Sequence, residues 1–204
     1  MTKKAIIFDL DNTIYSAPSI CDDLFLPLYQ LIQNSNDHQS RFELIKQDML
    51  RKPFHWVAHK HGFSETLTQK GIQLLETMTY DKPMQPFADY AETKPLPHQK
   101  FLVTTGFTLL QWSKIKSLNI ENDFAEIHVV DITVSTKKEV FADIIKRYRL
   151  ETVDILVVGD DLQSEIEAAQ QLGIDAVLYD KFHLHQNLTS LPIIDDYKML
   201  VALL

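Results

Sequence analysis

A single cysteine, Cys21, stands among 204 residues, which excludes an intramolecular disulfide and removes any need for an oxidising compartment. Lysine and arginine, 20 together against 28 acidic residues, form no long run, and the formal net charge is −8. A broad phosphate-backbone footprint is therefore missing, which argues against nucleic acid polymer as a partner. No apolar stretch reaches the length of a membrane span, and Lys3-Lys4 leads almost directly into a four-residue apolar run. Neither a signal peptide nor a membrane partner is expected, and the expected localisation is cytoplasmic. There the triplet Asn187-Leu188-Thr189 is a chance match to a glycosylation acceptor. No internal repeat or low-complexity tract is visible. What remains, 45% hydrophobic and 24% charged, is ordinary for a globular chain able to bury a core.

Two kinds of periodicity divide the chain. Ala5–Phe8 reads as a buried parallel strand. From Ser19 to Asn34 the spacing of Leu24, Leu28, Leu31 and Ile32 predicts a helix, and Phe42, Ile45 and Met49 predict a second over Gln39 to Lys52. Pro53 opens a short segment closed by Gly62, and Ser64 caps a further helix through Leu67, Ile72, Leu75 and Met78. Prolines 83, 86, 95 and 97 then mark a linker. From residue 100 strands and helices alternate: strands at 101–104, 127–130, 154–158 and 176–179, helices at 108–118, 137–148 and 162–172. The expected fold class is α/β, a Rossmann-like, doubly wound, mainly parallel sheet with an inserted all-α unit. The core would comprise residues 1–15 and 83–204, the insertion 16–82. Phe54, Trp56 and Phe63 are expected inside the insertion, and the tail from Pro192 to Leu204 is expected to pack on the core through a helical stripe.

In such sheets ligands bind beyond the carboxyl ends of the strands, so the residues there carry the argument. Asp9 and Asp11 end the first strand. Residues i and i+2 of extended chain point the same way, which presents both carboxylates together. Such a pair repels unless a cation or shared proton intervenes, and it suits a divalent-metal site in which one carboxylate attacks an electrophile and the other handles a proton. A turn rich in side-chain hydrogen bonds has the same composition. Thr104, Thr105 and Gly106 follow the second strand, where hydroxyls and the free amides of a helix N-terminus can meet an oxyanion. Lys137 shares a stripe with Val140, Phe141, Ile144, Ile145 and Tyr148, so it should lie toward the sheet while Lys138 faces solvent. Asp160, directly after an apolar strand, can complete an all-oxygen shell for a hard cation. Asp161 is as well explained as an N-cap, and Glu165 falls on the next turn. His55 and His59 lie i, i+4, a spacing that can bind zinc, but no third ligand accompanies them.

The set Phe-Asp-Leu-Asp-Asn-Thr-Ile-Tyr, Leu-Val-Thr-Thr-Gly, Lys137 and Val-Gly-Asp-Asp-Leu-Gln-Ser-Glu resembles the four ordered motifs of the haloacid dehalogenase-like hydrolases over nearly the whole chain. The insertion is similar to the family's C1-type helical cap, and the first motif's ending to that of pyrimidine 5'-nucleotidase-like members. The resemblance implies Asp9 as nucleophile, forming an aspartyl-phosphate, and Asp11 as acid to the leaving oxygen and then base for water. It implies that Thr104 and Lys137, with Thr105 beside them, hold the phosphoryl oxygens. It also implies that Asp9, the main-chain oxygen of Asp11 and Asp160 hold Mg²⁺. Halide departure needs neither proton nor metal, so Asp11 argues for phosphoryl transfer over dehalogenation. Three positions depart from the common pattern: Thr105 replaces an Asn, Lys138 follows Lys137 in place of Pro, and Glu165 stands where a further Asp is common. They leave open which lysine enters the site, and whether Asp161 or Glu165 supports the metal from behind.

The expected activity is Mg²⁺-dependent hydrolysis of a small phosphorylated metabolite, a nucleotide or sugar phosphate among the candidates. A phosphomutase of the same fold and a catalytically silent binding protein are the alternatives.

Overall fold

The computed structural model describes residues 2–185 and 187–204. Its centre is a 6-stranded sheet in the order β3-β2-β1-β4-β5-β6, formed by β1 (Ala5–Phe8), β2 (Gln99–Thr105), β3 (Glu126–Val130), β4 (Ile155–Gly159), β5 (Asp175–Tyr179) and β6 (Ile193–Ile194). Every pairing is parallel. All residues of β1 and β4 are buried, as expected for central parallel strands covered on both faces. The chain runs from β1 outward to β3, then returns to β4 on the other side of β1. The switch in strand order therefore lies between β1 and β4.

Alternate residues serve two cores. Ala5, Ile7, Phe101, Val103, Ile155 and Val157 pack beneath Phe141 and Ile144 of α7 (Lys137–Tyr148) and Ala168 and Ala169 of α8 (Glu167–Leu172). Ile6, Phe8, Leu102, Leu156 and Val158 face the other way. They meet Leu110, Ile115 and Leu118 of α6 (Thr108–Leu118) and Tyr197 and Leu200 of the tail. The apolar sides of the helices between β1 and β2 continue this second core. Those helices are α1 (Pro18–Leu24), α2 (Leu26–Gln33), α3 (Phe42–Met49), α4 (Phe54–His61) and α5 (Glu65–Thr77). α5, capped by the Ser64 hydroxyl at 3.2 Å from the Leu67 amide, packs against both α2 and α6. Among the described residues no helix is long and apolar enough to cross a membrane.

Several expected elements change form. The helix from Ser19 to Asn34 is broken at Phe25, because Pro27 has no N–H for the Asp23 carbonyl and its ring crowds that turn. The segment from Gln39 begins as a 3₁₀ turn, and α3 stops at Met49, shortly before Pro53. The helix from Leu162 opens as a π turn, Leu162–Ile166, ahead of α8. Trp56 lies outside the insertion's core, 43% exposed. The buried side of α4 is Phe54, Val57, Ala58 and His61, so Trp56 falls opposite, with the Lys60 ammonium 4.8 Å from its ring centroid. In the tail, Ile193–Ile194 is a two-residue edge strand on β5, too short to show an alternation, and Pro192 before it suits a sheet edge.

The rest of the tail is a 3₁₀ segment, Tyr197–Leu203, whose three-residue turn puts Tyr197 and Leu200 on one buried face. Tyr197 stacks on Tyr179 with centroids 4.5 Å apart, its amide donates to Asp89 at 3.0 Å, and its hydroxyl donates to the Thr13 carbonyl at 2.9 Å. The tail thus holds the loop that follows β1. Tyr197→Ala is expected to cost about 3–5 kcal/mol, as for other large buried aromatics, and Tyr197→Phe about 1–2 kcal/mol through the orphaned carbonyl. Urea unfolding of the two variants beside wild type checks both.

Candidate active site

Asp9 continues β1 by one residue, its amide donating to the Val158 carbonyl of β4 at 3.0 Å. Asn12 takes a left-handed conformation, φ 59°, which short polar side chains tolerate. This lets the Ile14 amide turn back to the Leu10 carbonyl at 2.9 Å. The turn sends the two aspartates to different partners. Asp9 is buried and accepts from the Lys137 ammonium at 2.6 Å. Asp11 accepts from Lys114 and from Gln111, each at 2.8 Å, and from the Tyr15 hydroxyl.

Lys137 is the first residue of α7. The Thr136 hydroxyl caps the Glu139 amide while Glu139 reaches back to the Thr136 amide, a reciprocal cap that fixes the start of the helix. With the helix start set there, Lys137 is buried beneath the strand tips and Lys138 is exposed. The Lys137 ammonium also donates to Glu165 at 2.7 Å. Glu165 is held a second time by the Asp161 amide, at 2.7 Å. It passes so close over Gly159 that a Cβ there would lie 2.2 Å from its Cγ. The glycine, which ends β4, is what gives the glutamate room.

Asp9, Asp160 and Glu165 each offer an oxygen, and the three oxygens lie within 4.8 Å of one another. Burial pushes the Asp9 carboxyl up to about 7; Lys137 opposes this, while Glu165 and Asp11 add to it. Burial, then Glu165 and Asp9, push Asp160 up to about 8. Burial would also raise Asp11, but the Lys114 ammonium and the hydrogen bonds of Lys114, Tyr15 and Gln111 outweigh it and hold Asp11 below its usual value. Asp161 is drawn elsewhere: it caps the Gln163 amide at 2.8 Å and pairs with Lys52 of the insertion at 3.3 Å. Thr104 is buried, and its hydroxyl accepts from Gln111 at 2.8 Å. Thr105 lines the cleft, and its carbonyl accepts from the same amide group at 2.9 Å.

Gln111 and Lys114 had no place in the motif-based set, and Tyr15, which ends the first motif, had no role assigned there. A signal for them was present: Lys114 sits four residues from both Leu110 and Leu118, on the apolar side of α6, where a lysine calls for a buried partner. Tyr15 lies i+4 from Asp11. The cleft over these groups measures about 920 Å³ and is walled by α1, the turns flanking Pro53, α5 and α6. His55 stacks on Phe107 across it, centroids 6.2 Å apart. Neither His55 nor His59 belongs to a metal-ligand group among the described residues.

The raised carboxyls have a consequence for stability in metal-free solution. Folded Asp9 and Asp160 keep their protons up to about pH 7 and 8, whereas the unfolded chain releases them near pH 4. In that interval the native state binds more protons, so their contribution lowers stability as pH rises. The Tm in EDTA is expected to fall from pH 5 to pH 8.5, less so in Asp160→Asn, and Mg²⁺ is expected to raise the Tm most at the alkaline end. A wild-type Tm that climbs with pH in parallel with that of Asp160→Asn contradicts this.

The model of the haloacid dehalogenase-like hydrolases matches residues 3–173. A protein of Methanothermobacter thermautotrophicus described as a glyceraldehyde 3-phosphate phosphatase is 22% identical, with 98% of this chain and 99% of that protein aligned. Among solved structures, YfnB of Bacillus subtilis, bound to magnesium, superposes with a TM-score of 0.69 at 20% identity over 100% of this chain and 99% of the other. The haloacid dehalogenase-like family protein SP0104 of Streptococcus pneumoniae reaches 0.72 at 14% identity, with 99% of each chain covered. The chain belongs to the haloacid dehalogenase-like hydrolases.

Proposed function

We propose that this chain is a cytoplasmic, Mg²⁺-dependent phosphatase that hydrolyses a small phosphomonoester through an aspartyl-phosphate on Asp9. The observation that carries the reading is the Lys137 ammonium 2.6 Å from Asp9, beside Asp160 and Glu165 at the strand-order switch. A buried carboxylate with a cation against it can meet a phosphate dianion where an unpaired carboxylate would repel it. The relatives described as glyceraldehyde 3-phosphate phosphatases point to the same bond type.

In this reading an Asp9 oxygen attacks phosphorus and the ester P–O bond breaks. Asp11, ionised in the empty site, takes up a proton as substrate binds and gives it to the departing alkoxide, then takes one from the water that attacks the aspartyl-phosphate, releasing inorganic phosphate and regenerating Asp9. Lys114, Gln111 and Tyr15 hold Asp11 in place for both transfers. Thr104, Thr105 and the first amides of α6 hold phosphoryl oxygens, with Lys137 neutralising their charge. Close-packed carboxylate oxygens are the donor set a hard cation takes. Asp9 and Asp160, with the main-chain oxygen of Asp11, would hold Mg²⁺, which supplies Lewis-acid polarisation of the phosphoryl group. Glu165, bound to Lys137 and the Asp161 amide, orients that set from behind. Residues 16–82 act as a cap over the core formed by 1–15 and 83–204. Arg51, 3.7 Å from Asp160, and Lys52, 3.3 Å from Asp161, bring the cap onto the acidic tips of the strands.

Wild type is expected to hydrolyse p-nitrophenyl phosphate only with Mg²⁺. Asp9→Asn is expected to lose at least about a thousandfold in kcat, because it removes the nucleophile. Steady-state assays with and without EDTA check this. Turnover retained in Asp9→Asn contradicts the assignment, and release of free phosphate from a sugar phosphate separates a phosphatase from a mutase.

A further inference from the structure

The cleft is divided chemically. Its floor is charged, and each of its lysines and arginines already has a carboxylate of the same cleft: Lys137 with both Asp9 at 2.6 Å and Glu165 at 2.7 Å, Lys114 with Asp11 at 2.8 Å, Lys52 with Asp161 at 3.3 Å and Arg51 with Asp160 at 3.7 Å. Glu76 and Asp131 also line it, and neither has a lysine or arginine partner among the described residues. A divalent cation and a phosphate dianion entering together leave this balance unchanged. A second anionic group on the substrate would find no unpaired lysine or arginine and would face Glu76 and Asp131, the latter held only by Thr133 of its own turn.

The wall opposite the floor is apolar. Ile20, Leu24 and Phe25 from the α1–α2 corner, Met49 at the end of α3 and Ile72 and Leu75 of α5 all border the same space. With a volume of about 920 Å³, the cleft is at the upper end of what small-molecule sites occupy. A three-carbon polyol phosphate seated with its phosphorus at Asp9 would leave that wall facing water.

We infer that the substrate is a monophosphate of an uncharged alcohol whose body carries an apolar, ring-sized group. The inference rests on the phosphatase reading and adds the class of its leaving group. The phosphate is held at Asp9, Thr104 and Lys137, and the ring lies against Leu24, Phe25 and Ile72. Bisphosphates and phosphorylated acids are rejected by Glu76 and Asp131, which no lysine or arginine neutralises among the described residues, and small polyol phosphates gain nothing from the wall.

Alcohols of similar acidity separate binding from leaving-group chemistry, so the test compares kcat/KM for benzyl phosphate, glycerol 3-phosphate, glyceraldehyde 3-phosphate and 3-phosphoglycerate, all with Mg²⁺. Benzyl phosphate is expected to exceed the two uncharged three-carbon esters by roughly tenfold to a hundredfold, the usual effect of burying one ring-sized apolar group. 3-Phosphoglycerate is expected to be the poorest. In Ile72→Asn the ratio of benzyl phosphate to glycerol 3-phosphate is expected to fall toward one, through KM and not kcat. Hydrolysis of all four esters with no advantage for the ring, or with a three-carbon ester preferred, overturns the inference and leaves the phosphatase reading standing. Failure to hydrolyse any of them by folded protein overturns both.

Discussion

Two buried carboxylates, Asp9 and Glu165, and the partly buried Asp160 converge where β1 and β4 end, and their mutual repulsion is the constraint around which this end of the molecule is built. One ammonium, that of Lys137, lies between two of them, at 2.6 Å from Asp9 and 2.7 Å from Glu165. A buried pair of this kind contributes little net stability against an apolar substitute, yet removal of one partner costs several kcal/mol because the other charge is left stranded. The neighbouring features read as provisions for that contact. The reciprocal cap at Thr136 and Glu139 sets where α7 begins, Gly159 leaves space for the Glu165 arm, and the π turn after Asp161 brings Glu165 inward. π turns often mark such functional insertions in a helix.

The two aspartates of the first loop differ in charge state because their surroundings differ. Asp9 shares one ammonium with Glu165 and keeps company with Asp160, so burial and repulsion raise it. Asp11 has an ammonium of its own and two further donors, so it stays ionised. The separation is enforced from a distance. Gln111 and Lys114 come from α6, while the loop carrying both aspartates is held at Thr13 by Tyr197 of the tail.

The alternation of strands and helices and the inward face of Lys137 were legible from local periodicity, in four-residue apolar runs and a stripe from Lys137 to Tyr148 that matches α7 end to end. The order of the site motifs was legible only through the family resemblance. The helices before Pro53 were less legible, because one proline at position 27 and a 3₁₀ start at Gln39 interrupt a stripe that otherwise looks continuous. Gln111 and Lys114 escaped because their meaning depends on Asp11, a hundred residues away, and no local pattern carries that distance. The grouping of Glu165 with Asp9 and Asp160 likewise required the β1–β4 register. Trp56 departs from the expected core because its position on α4, opposite Phe54, Val57, Ala58 and His61, puts it outside.

The proposed hydrolysis requires Asp9 to bond to phosphorus, and the most direct test is acid quenching during turnover, followed by peptide mass spectrometry across residues 5–15. An acyl-phosphate is unstable to base and survives brief acid, so a phosphoryl group on Asp9 that appears with substrate and disappears as substrate is consumed is the predicted result. Steady release of phosphate with Asp9 never labelled, or with the phosphoryl group found on another residue, would contradict it.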